Sequence, residues 1–294
     1  MVRSSIAAEH QNRVTITGIH DIPYNDQLWF AQVQTTVDKI IADDGASAPR
    51  VTLFGHDKDE SSYYLRKFPQ WQFTPVEPVH ILNATDVRDA YFAGGAQALA
   101  GEELPAGTRE FIAAFESTPF YPALKHEAEF LVHYKAQWAV APYPPIFVTV
   151  DTVVIEAGYL LLVKRKFAPG KGLWALPGGF ANQGEWLIDA ALRELREETR
   201  LKVPLPVLRG SVKANRVFDW PGRSSRGRTI THAYLIELEH NQWTGLHEVK
   251  GTDDAERAQW VRLSDFYRMR ADMYEDHFDI ASTLLGSAAP AGQL

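Results

Sequence analysis

The order of apolar and polar residues divides the chain into two segments with different patterns. In the first, short apolar runs alternate with stretches in which apolar residues recur three and four positions apart. The strands predicted from this pattern are Arg13–Ile19, Arg50–Gly55 and Trp71–Val76. Helices are predicted over 28–41 and 85–92, the second capped by Asn83 or Thr85, with one or two more over 108–139. Alternating strands and helices indicate a parallel α/β sheet.

The pattern changes after the proline-rich stretch 141–145. Phe147–Ile155 and Tyr159–Arg165 are β-rich runs separated by Glu-Ala-Gly, which predicts a hairpin. A helix over about 185–199 follows, then strands near 212, 230–238 and 260–261, and a helix over 263–285. The small, polar C-terminal tail is typical of disorder. The sequence thus predicts one domain over 1–140, a second over 141–286 and a disordered tail over 287–294.

Composition narrows the class of protein. The net charge of −7 over 294 residues argues against a nucleic-acid partner, because phosphate-backbone binding usually needs a basic face. The absence of cysteine excludes disulfides, thiolate nucleophiles and cysteine-ligated zinc. No apolar run approaches the ~18 residues that a membrane span needs, and the N-terminus has no signal-peptide core. We therefore expect a cytoplasmic protein with neither a membrane nor a nucleic-acid partner.

Three glutamates crowd one face of the helix predicted at 185–199. Glu194, Glu197 and Glu198 are spaced i, i+3 and i+4, which places their carboxylates together. Like charges at that spacing destabilise a helix by about a few tenths of a kcal/mol per pair. Arg193 lies one turn before Glu197 and can pair with it. Clustered oxygen ligands of this kind suit Mg²⁺ or Mn²⁺ bound with substrate phosphates, whereas the alternative interpretation is a solvated acidic face.

The spacing around these glutamates resembles the signature box of Nudix hydrolases, which cleave nucleoside diphosphates linked to another moiety. The positions that match are Gly179, Glu185, Arg193, Glu194, Leu195, Glu197, Glu198 and Leu201. The resemblance implies that Glu194, Glu197 and Glu198 hold the divalent metal, and that Glu185 and Arg193 brace a loop–helix–loop. Arg200 stands where the family has a glycine that usually ends the helix, so this departure bears on the local turn and not on the metal ligands.

Other residues are candidates for substrate contact. Basic side chains occur at the end of the strand before the box, Lys164 to Lys166, and in a glycine-flanked loop at Arg223, Arg226 and Arg228; they suit phosphate binding or are simply solvated. The general base is a box glutamate or an acid of the stretch 253–256. Trp174, Phe218 and Trp220 either stack on a base or pack in the core. The candidate substrate-binding set is Gly178, Gly179, Arg165, Arg226, Arg228 and Asp254.

The first segment resembles nicotinamide mononucleotide adenylyltransferases, which in one bacterial bifunctional family precede a Nudix domain. The resemblance rests on GHDKDESSYYLRKFPQW and LNATDVRDAYF, and on APYPPIFVTVDTVVIE, KGLWALPGGF and FDWPGRSSRGRTITHAY in the second segment. It implies an α/β Rossmann-like nucleotidyltransferase remnant followed by an α+β Nudix fold, a mixed sheet between helices. By position, the adenylyltransferase-like nucleotide site would comprise His56, Lys58, Asp59, Thr85 and Arg88.

One motif of that family, HxGH, does not occur in this sequence. Its histidines stabilise the transferring phosphate, so we expect an inactive front domain in a chain that is either truncated or has lost this activity. A sheet without those strands would expose apolar surface, which predicts marginal solubility or a homo-oligomer. For the second segment the resemblance implies Mg²⁺-dependent cleavage of a small nucleotide, ADP-ribose, to AMP and ribose 5-phosphate. The alternatives are a non-hydrolysing sensor of ADP-ribose-type ligands and a residual adenylyltransferase.

Overall fold

The structure is a computed structural model of the chain, and it describes residues 1–45, 49–57, 60–77, 83–101, 104–240, 243, 245–251 and 255–288. The chain divides into two compact units, Met1–Lys125 and His126–Leu294. No helix among the described residues is both long enough and apolar enough to cross a membrane.

The first unit combines helices with a small parallel sheet. Its elements are α1 (Asp26–Asp44), β1 (Thr52–Gly55), β2 (Gln72–Pro75), α2 (Ala84–Gly94), α3 (Ala106–Glu116) and the start of α4 (Phe120–Gln137). These confirm two of the three predicted strands and the predicted helices. The carboxamide oxygen of Asn83 accepts a 2.9 Å hydrogen bond from the Thr85 backbone N–H, which confirms the predicted cap.

The predicted strand Arg13–Ile19 is wrong. Arg13 ends a 3₁₀ helix, and the residues from Val14 to Ile19 form no strand. A strand needs a neighbour to bond its backbone N–H and C=O groups, and the sheet described for this unit pairs β1 with β2. Phe54 on β1 is 69% exposed, and the expected apolar surface stays a prediction. The predicted homo-oligomer stays a prediction.

The second unit is built around a mixed sheet. In the described residues its strands are β3 (Phe147–Glu156), β4 (Tyr159–Arg165), β5 (Trp174–Ala175), β6 (Gly178–Phe180), β7 (Val212–Phe218), β8 (Thr229–Leu238) and β9 (Ala255–Arg262). The central β3 is parallel to β8 and antiparallel to β4 and β6, while β7 pairs with β8 and β9 with β4, both antiparallel. The helices are α5 (Leu187–Thr199), α6 (Leu205–Gly210), α7 (Leu263–Phe266) and α8 (His277–Ala288). A mixed sheet with helices is the predicted architecture.

Helix α5 is held on the sheet by its apolar stripe. Ala191, Leu192 and Leu195 are buried in one cluster with Val150 and Ile236 of the central strands. Full burial of a leucine side chain contributes roughly 1.5–3 kcal/mol. This packing fixes which face of α5 meets the sheet, and it leaves the glutamates beside the stripe at the sheet edge.

The single helix predicted over 263–285 is wrong. Helix α7 ends at Phe266, a 3₁₀ turn follows, and α8 begins only at His277. The interruption has a tertiary cause: the backbone N–H of Tyr274 donates a 2.8 Å hydrogen bond to the carbonyl of Trp174 at β5. Glu275 then adopts φ 44° before α8 starts. Helix α8 runs through Ala288, and the rest of the predicted tail, 289–294, lies outside the described residues.

Candidate active site

Strand β6 lies so close to α5 and β3 that a side chain at either of its two glycines would displace a neighbouring group. A Cβ atom on Gly179 would lie 2.6 Å from the carboxyl carbon of Glu194, and one on Gly178 would lie 2.6 Å from Oδ1 of Asp151. The backbone N–H of Gly178 donates a 3.1 Å hydrogen bond to Oε2 of Glu198. The two glycines therefore bring backbone and carboxylates to one place.

The electrostatics of this place favour a cation. Burial, together with the nearby charges of Glu194 and Asp151, raises the pKa of Glu198 to about 8, against the opposing effects of the Gly178 N–H and the Arg165 guanidinium. Burial also raises the pKa of Glu194, against the opposing effect of Arg193. A cluster of partly buried carboxyls whose negative forms are disfavoured is a donor set that fits Mg²⁺ or Mn²⁺.

Arg193 connects the loop before α5 to the glutamates on it. Its Nη2 and Nε donate to the two oxygens of Glu185 at 2.8 and 3.2 Å, and Nη2 also donates to the Phe180 carbonyl at 3.2 Å. Its Nη1 donates to Glu194 at 2.8 Å and to Glu197 at 3.1 Å, the one-turn pairing that the spacing predicts. These hydrogen bonds hold the pKa of Glu185 down at about 2. The contacts are those of a brace for the loop–helix–loop.

The glutamates do not by themselves form a finished metal cage. In the described part of the chain, no group of three or more acidic or histidine side chains has the arrangement to hold an ion. Glu197 pairs with Arg193, and its side chain is 60% exposed. For Glu197 to bind one ion together with Glu194 and Glu198, its side chain would have to rotate away from Arg193. The assignment of these three glutamates as metal ligands stays a prediction.

Two of the candidate arginines lie beside the carboxylates. The Arg165 Nε donates to the Pro169 carbonyl at 2.8 Å, and its guanidinium lies 4.0 Å from the ring centre of Tyr274. The Arg226 guanidinium lies 5.0 Å from the ring centre of Phe180, and its buried Nε has no hydrogen-bond partner among the described residues. Both positive charges act to lower the pKa of Asp151. Arg165 and Arg226 therefore place two positive charges at the edge of the site formed by Glu194, Glu198 and Asp151.

Arg223, the first arginine of the loop, has a structural role, so its interpretation as a phosphate contact is wrong. Arg223 is buried and donates two 3.0 Å hydrogen bonds to the carboxylate of Asp276, with its Nη2 4.0 Å from Asp151 Oδ2. This bidentate pair ties the loop to the start of α8. Arg228 donates instead to the backbone carbonyl of Asp219 and is half-buried.

The remaining candidates divide by location. Three lie outside the described residues: Lys58, Asp59 and Asp254. In the first unit, His56 is exposed after β1 with its Nδ1 3.3 Å from the Val76 carbonyl, and Thr85 and Arg88 are exposed in the first turns of α2. Their roles stay predictions. Among the stacking candidates, Phe218 is fully buried and therefore packs in the core.

Arg200 takes the place of the family's glycine at the end of the box and forms the same kind of helix end. It ends α5 in the left-handed conformation with φ 53° and ψ 23°, and its N–H donates a 3.0 Å hydrogen bond to the Arg196 carbonyl. This is the conformation that glycine adopts most readily at a helix C-terminus. The turn is therefore kept without the glycine, at some conformational cost.

One residue of the site, Asp151, was not among the candidates predicted from the sequence. Asp151 lies on β3, is 4% exposed, and accepts a 2.6 Å hydrogen bond from the Thr231 hydroxyl. Burial raises its pKa. The available signal was an aspartate inside an otherwise apolar strand, since a buried charged residue is the informative exception in a core.

The comparisons with known proteins agree with this geometry. The NUDIX domain family matches residues 145–284. The ADP-ribose pyrophosphatase of Methanocaldococcus jannaschii is 34% identical over 125 residues, which are 42% of this chain and 67% of that protein. The nicotinamide/nicotinic acid mononucleotide adenylyltransferase of Acinetobacter baylyi is 37% identical over 128 residues, 43% of this chain, and the match spans 64% of that protein's length. The second unit thus contains a NUDIX domain.

Similarity to a solved structure extends over both units. The bifunctional NMN adenylyltransferase/ADP ribose pyrophosphatase of Francisella tularensis, solved in complex with AMP and a manganese ion, is 34% identical with a TM-score of 0.87. The match covers 98% of this chain and 83% of that one. The chain belongs to this bifunctional NMN adenylyltransferase/ADP-ribose pyrophosphatase family, which confirms the resemblance seen in its sequence.

Proposed function

We propose that the second unit is a divalent-metal-dependent hydrolase that cleaves ADP-ribose to AMP and ribose 5-phosphate. The observation that carries the proposal is the close approach of the two-glycine strand β6 to Glu194 and Glu198, where a Cβ on Gly179 would displace the Glu194 carboxylate. The names of the similar proteins, an ADP-ribose pyrophosphatase among them, support the substrate.

The residues of the site divide the work of a diphosphate cleavage. Glu194, Glu197 and Glu198 would hold Mg²⁺ or Mn²⁺, and a bound ion supplies Lewis-acid polarisation of a phosphoryl oxygen and a lower pKa for the attacking water. Arg165 and Arg226 would bind and orient the diphosphate from the cationic edge of the site. The general base would be a box glutamate or an acid of the stretch 253–256.

The brace formed by Arg193 is a positioning device. Three of its five hydrogen bonds hold Glu185 and Phe180 against α5, and the other two go to Glu194 and Glu197 on α5 itself. Because each bond fixes a side chain before substrate arrives, less reorganisation is needed when the diphosphate binds. Arg193 thus acts through the glutamates and does not need to touch the substrate.

The test is AMP release from ADP-ribose by the purified chain, with and without Mg²⁺ or Mn²⁺. Wild type should release AMP only with the metal, and Glu197→Gln and Glu198→Gln should be slower by on the order of 100-fold or more. Glu237→Gln, at an exposed position of β8, is the matched control and should match wild type. Turnover by Glu198→Gln at the wild-type rate would refute the site. Binding without hydrolysis by wild type would favour the sensor.

For the first unit we infer little or no adenylyl transfer by the 294-residue chain. The motif whose histidines stabilise the transferring phosphate is absent from this sequence. The measurement is NAD formation from NMN and ATP with Mg²⁺. Formation of NAD at an appreciable rate would overturn this inference without affecting the proposal for the second unit.

A further inference from the structure

The second unit contains a cavity that the proposed chemistry leaves mostly unused. Its volume is about 340 Å³, within the range of roughly 300–1,000 Å³ that is typical of small-molecule sites. We call it the aromatic pocket; the lining residues used below are Lys135, Trp138, Phe147, Arg226, Gly227 and Arg228. Trp138 follows the end of α4 and so lies before the matched NUDIX region.

The two rings of the pocket form a corner suited to a planar molecule. The ring centres of Trp138 and Phe147 are 5.2 Å apart, with planes at 70°. A flat base stacked on one ring would present its edge to the other, which are the two favourable arrangements of aromatic groups. The side of Phe147 is closed by Gly227, on which a Cβ would lie 3.3 Å from the phenyl ring. Trp138 is 42% exposed, so its ring remains accessible.

The pocket adjoins the carboxylate site through Phe180. The Phe180 ring centre lies 5.9 Å from that of Phe147, and the Arg226 guanidinium lies 5.0 Å from the Phe180 ring centre. The carbonyl of Phe180 accepts a hydrogen bond from Arg193 of the brace. Arg226 thus belongs to both places, as a wall of the pocket and as a cation at the edge of the acidic site.

The charge of the pocket selects an anion. Three lining side chains are cationic, Lys135, Arg226 and Arg228, and none of its lining residues is acidic. The Nε of Arg226 is buried and has no hydrogen-bond partner among the described residues, so it retains a donor for a ligand. A ligand that is flat and aromatic at one end and anionic at the other fits both features, and a nucleotide has that chemistry.

We propose that the aromatic pocket is the base subsite of the second unit: the base of a nucleotide stacks on Trp138 and presents its edge to Phe147, and Arg226 binds its adjoining phosphate. Because this nucleotide would be part of the substrate, the inference rests on the proposed function. It assigns a binding role to Trp138, which follows the end of α4 within the second unit.

The experiment measures AMP binding by calorimetry and by quenching of tryptophan fluorescence, in wild type, Trp138→Ala, Trp138→Phe and Tyr143→Ala. Stacking on an aromatic ring is worth about 1–3 kcal/mol per base, so Trp138→Ala should weaken AMP binding by roughly 5- to 150-fold. Trp138→Phe keeps a ring and should retain most affinity while losing part of the quenching. Tyr143, 81% exposed in the same segment and not part of the pocket lining, is the matched control and should bind as wild type does.

Ligands that lack one half of AMP separate the two contributions. Ribose 5-phosphate should bind equally to wild type and Trp138→Ala, since it carries no base, and adenosine should bind more weakly than AMP. Unchanged AMP affinity in Trp138→Ala, with unfolding curves that show an intact fold, would overturn the inference. Binding of AMP requires no hydrolysis. If the wild-type chain cleaves no ADP-ribose but Trp138→Ala still weakens AMP binding, the pocket is upheld and only the catalytic proposal is refuted.

Discussion

The buried pair of Arg223 and Asp276 leads to a prediction that separates a structural arginine from a phosphate-binding one. Both side chains are 3% exposed, and two hydrogen bonds of 3.0 Å join them. Asp151 Oδ2 is 4.0 Å from the Arg223 Nη2. At that distance, with an effective dielectric constant of about 20, one attraction amounts to about 4 kcal/mol before the cost of desolvation.

Arg223→Met should therefore lower the free energy of unfolding by about 3–5 kcal/mol. The loss arises because the buried carboxyl of Asp276 loses its bidentate partner and the buried carboxyl of Asp151 loses one of its nearby positive charges. Replacing the pair together, with Arg223→Met and Asp276→Leu, should recover part of the loss, since one of the two buried charges is then removed.

The assay is urea unfolding at pH 7, followed by far-ultraviolet circular dichroism. The matched control is Arg209→Met: Arg209 pairs with Asp189 at the surface, where the side chains are 52% and 44% exposed. An exposed pair contributes only about 0–1 kcal/mol, so this variant should unfold close to wild type. If Arg223→Met unfolds within ~1 kcal/mol of wild type but raises the KM for ADP-ribose, the structural role is refuted and the phosphate contact is restored.

Three further predictions follow from single positions. Gly179→Ala should lower ADP-ribose hydrolysis at least tenfold because its Cβ would displace the Glu194 carboxylate, whereas Gly210→Ala, with open space around the added Cβ, should not; equal rates would contradict the packing argument. Arg200→Gly should stabilise the chain by about 0.5–1 kcal/mol by relieving the left-handed φ of 53°, and a thermal melt showing no increase would argue against it. Burial lowers the pKa of His277 to about 4. The buried neutral imidazole therefore makes its full contribution to the free energy of unfolding above the unfolded pKa near 6.5, and this contribution, at most about 3 kcal/mol, is lost as the pH falls towards 4. His277→Asn should reduce the fall in unfolding free energy across this window, and identical pH profiles would contradict the assignment.

Local sequence patterns determine much of this protein by themselves. Helix α5 forms where the apolar stripe predicts it, with Glu194, Glu197 and Glu198 beside that stripe. The Asn83 cap and the β3–β4 hairpin follow from the sequence in the same way, because capping and hairpin formation depend on residues that are close in the chain. The spacing of the box is of the same kind, since a helix of known period converts spacing directly into geometry.

Where local patterns compete or carry no information, the tertiary structure decides the role of a residue and the ends of an element. Arg223 and Arg226 occupy one loop and look alike in sequence, yet Asp276, 53 residues away from Arg223, takes the first as a buried partner and leaves the second at the site. The break before α8 follows from a backbone bond to Trp174. The apolar run after Arg13 has no adjacent strand among the described residues. In each case the deciding free energy comes from burial and from hydrogen bonds between segments far apart in the chain, and a local pattern does not contain it.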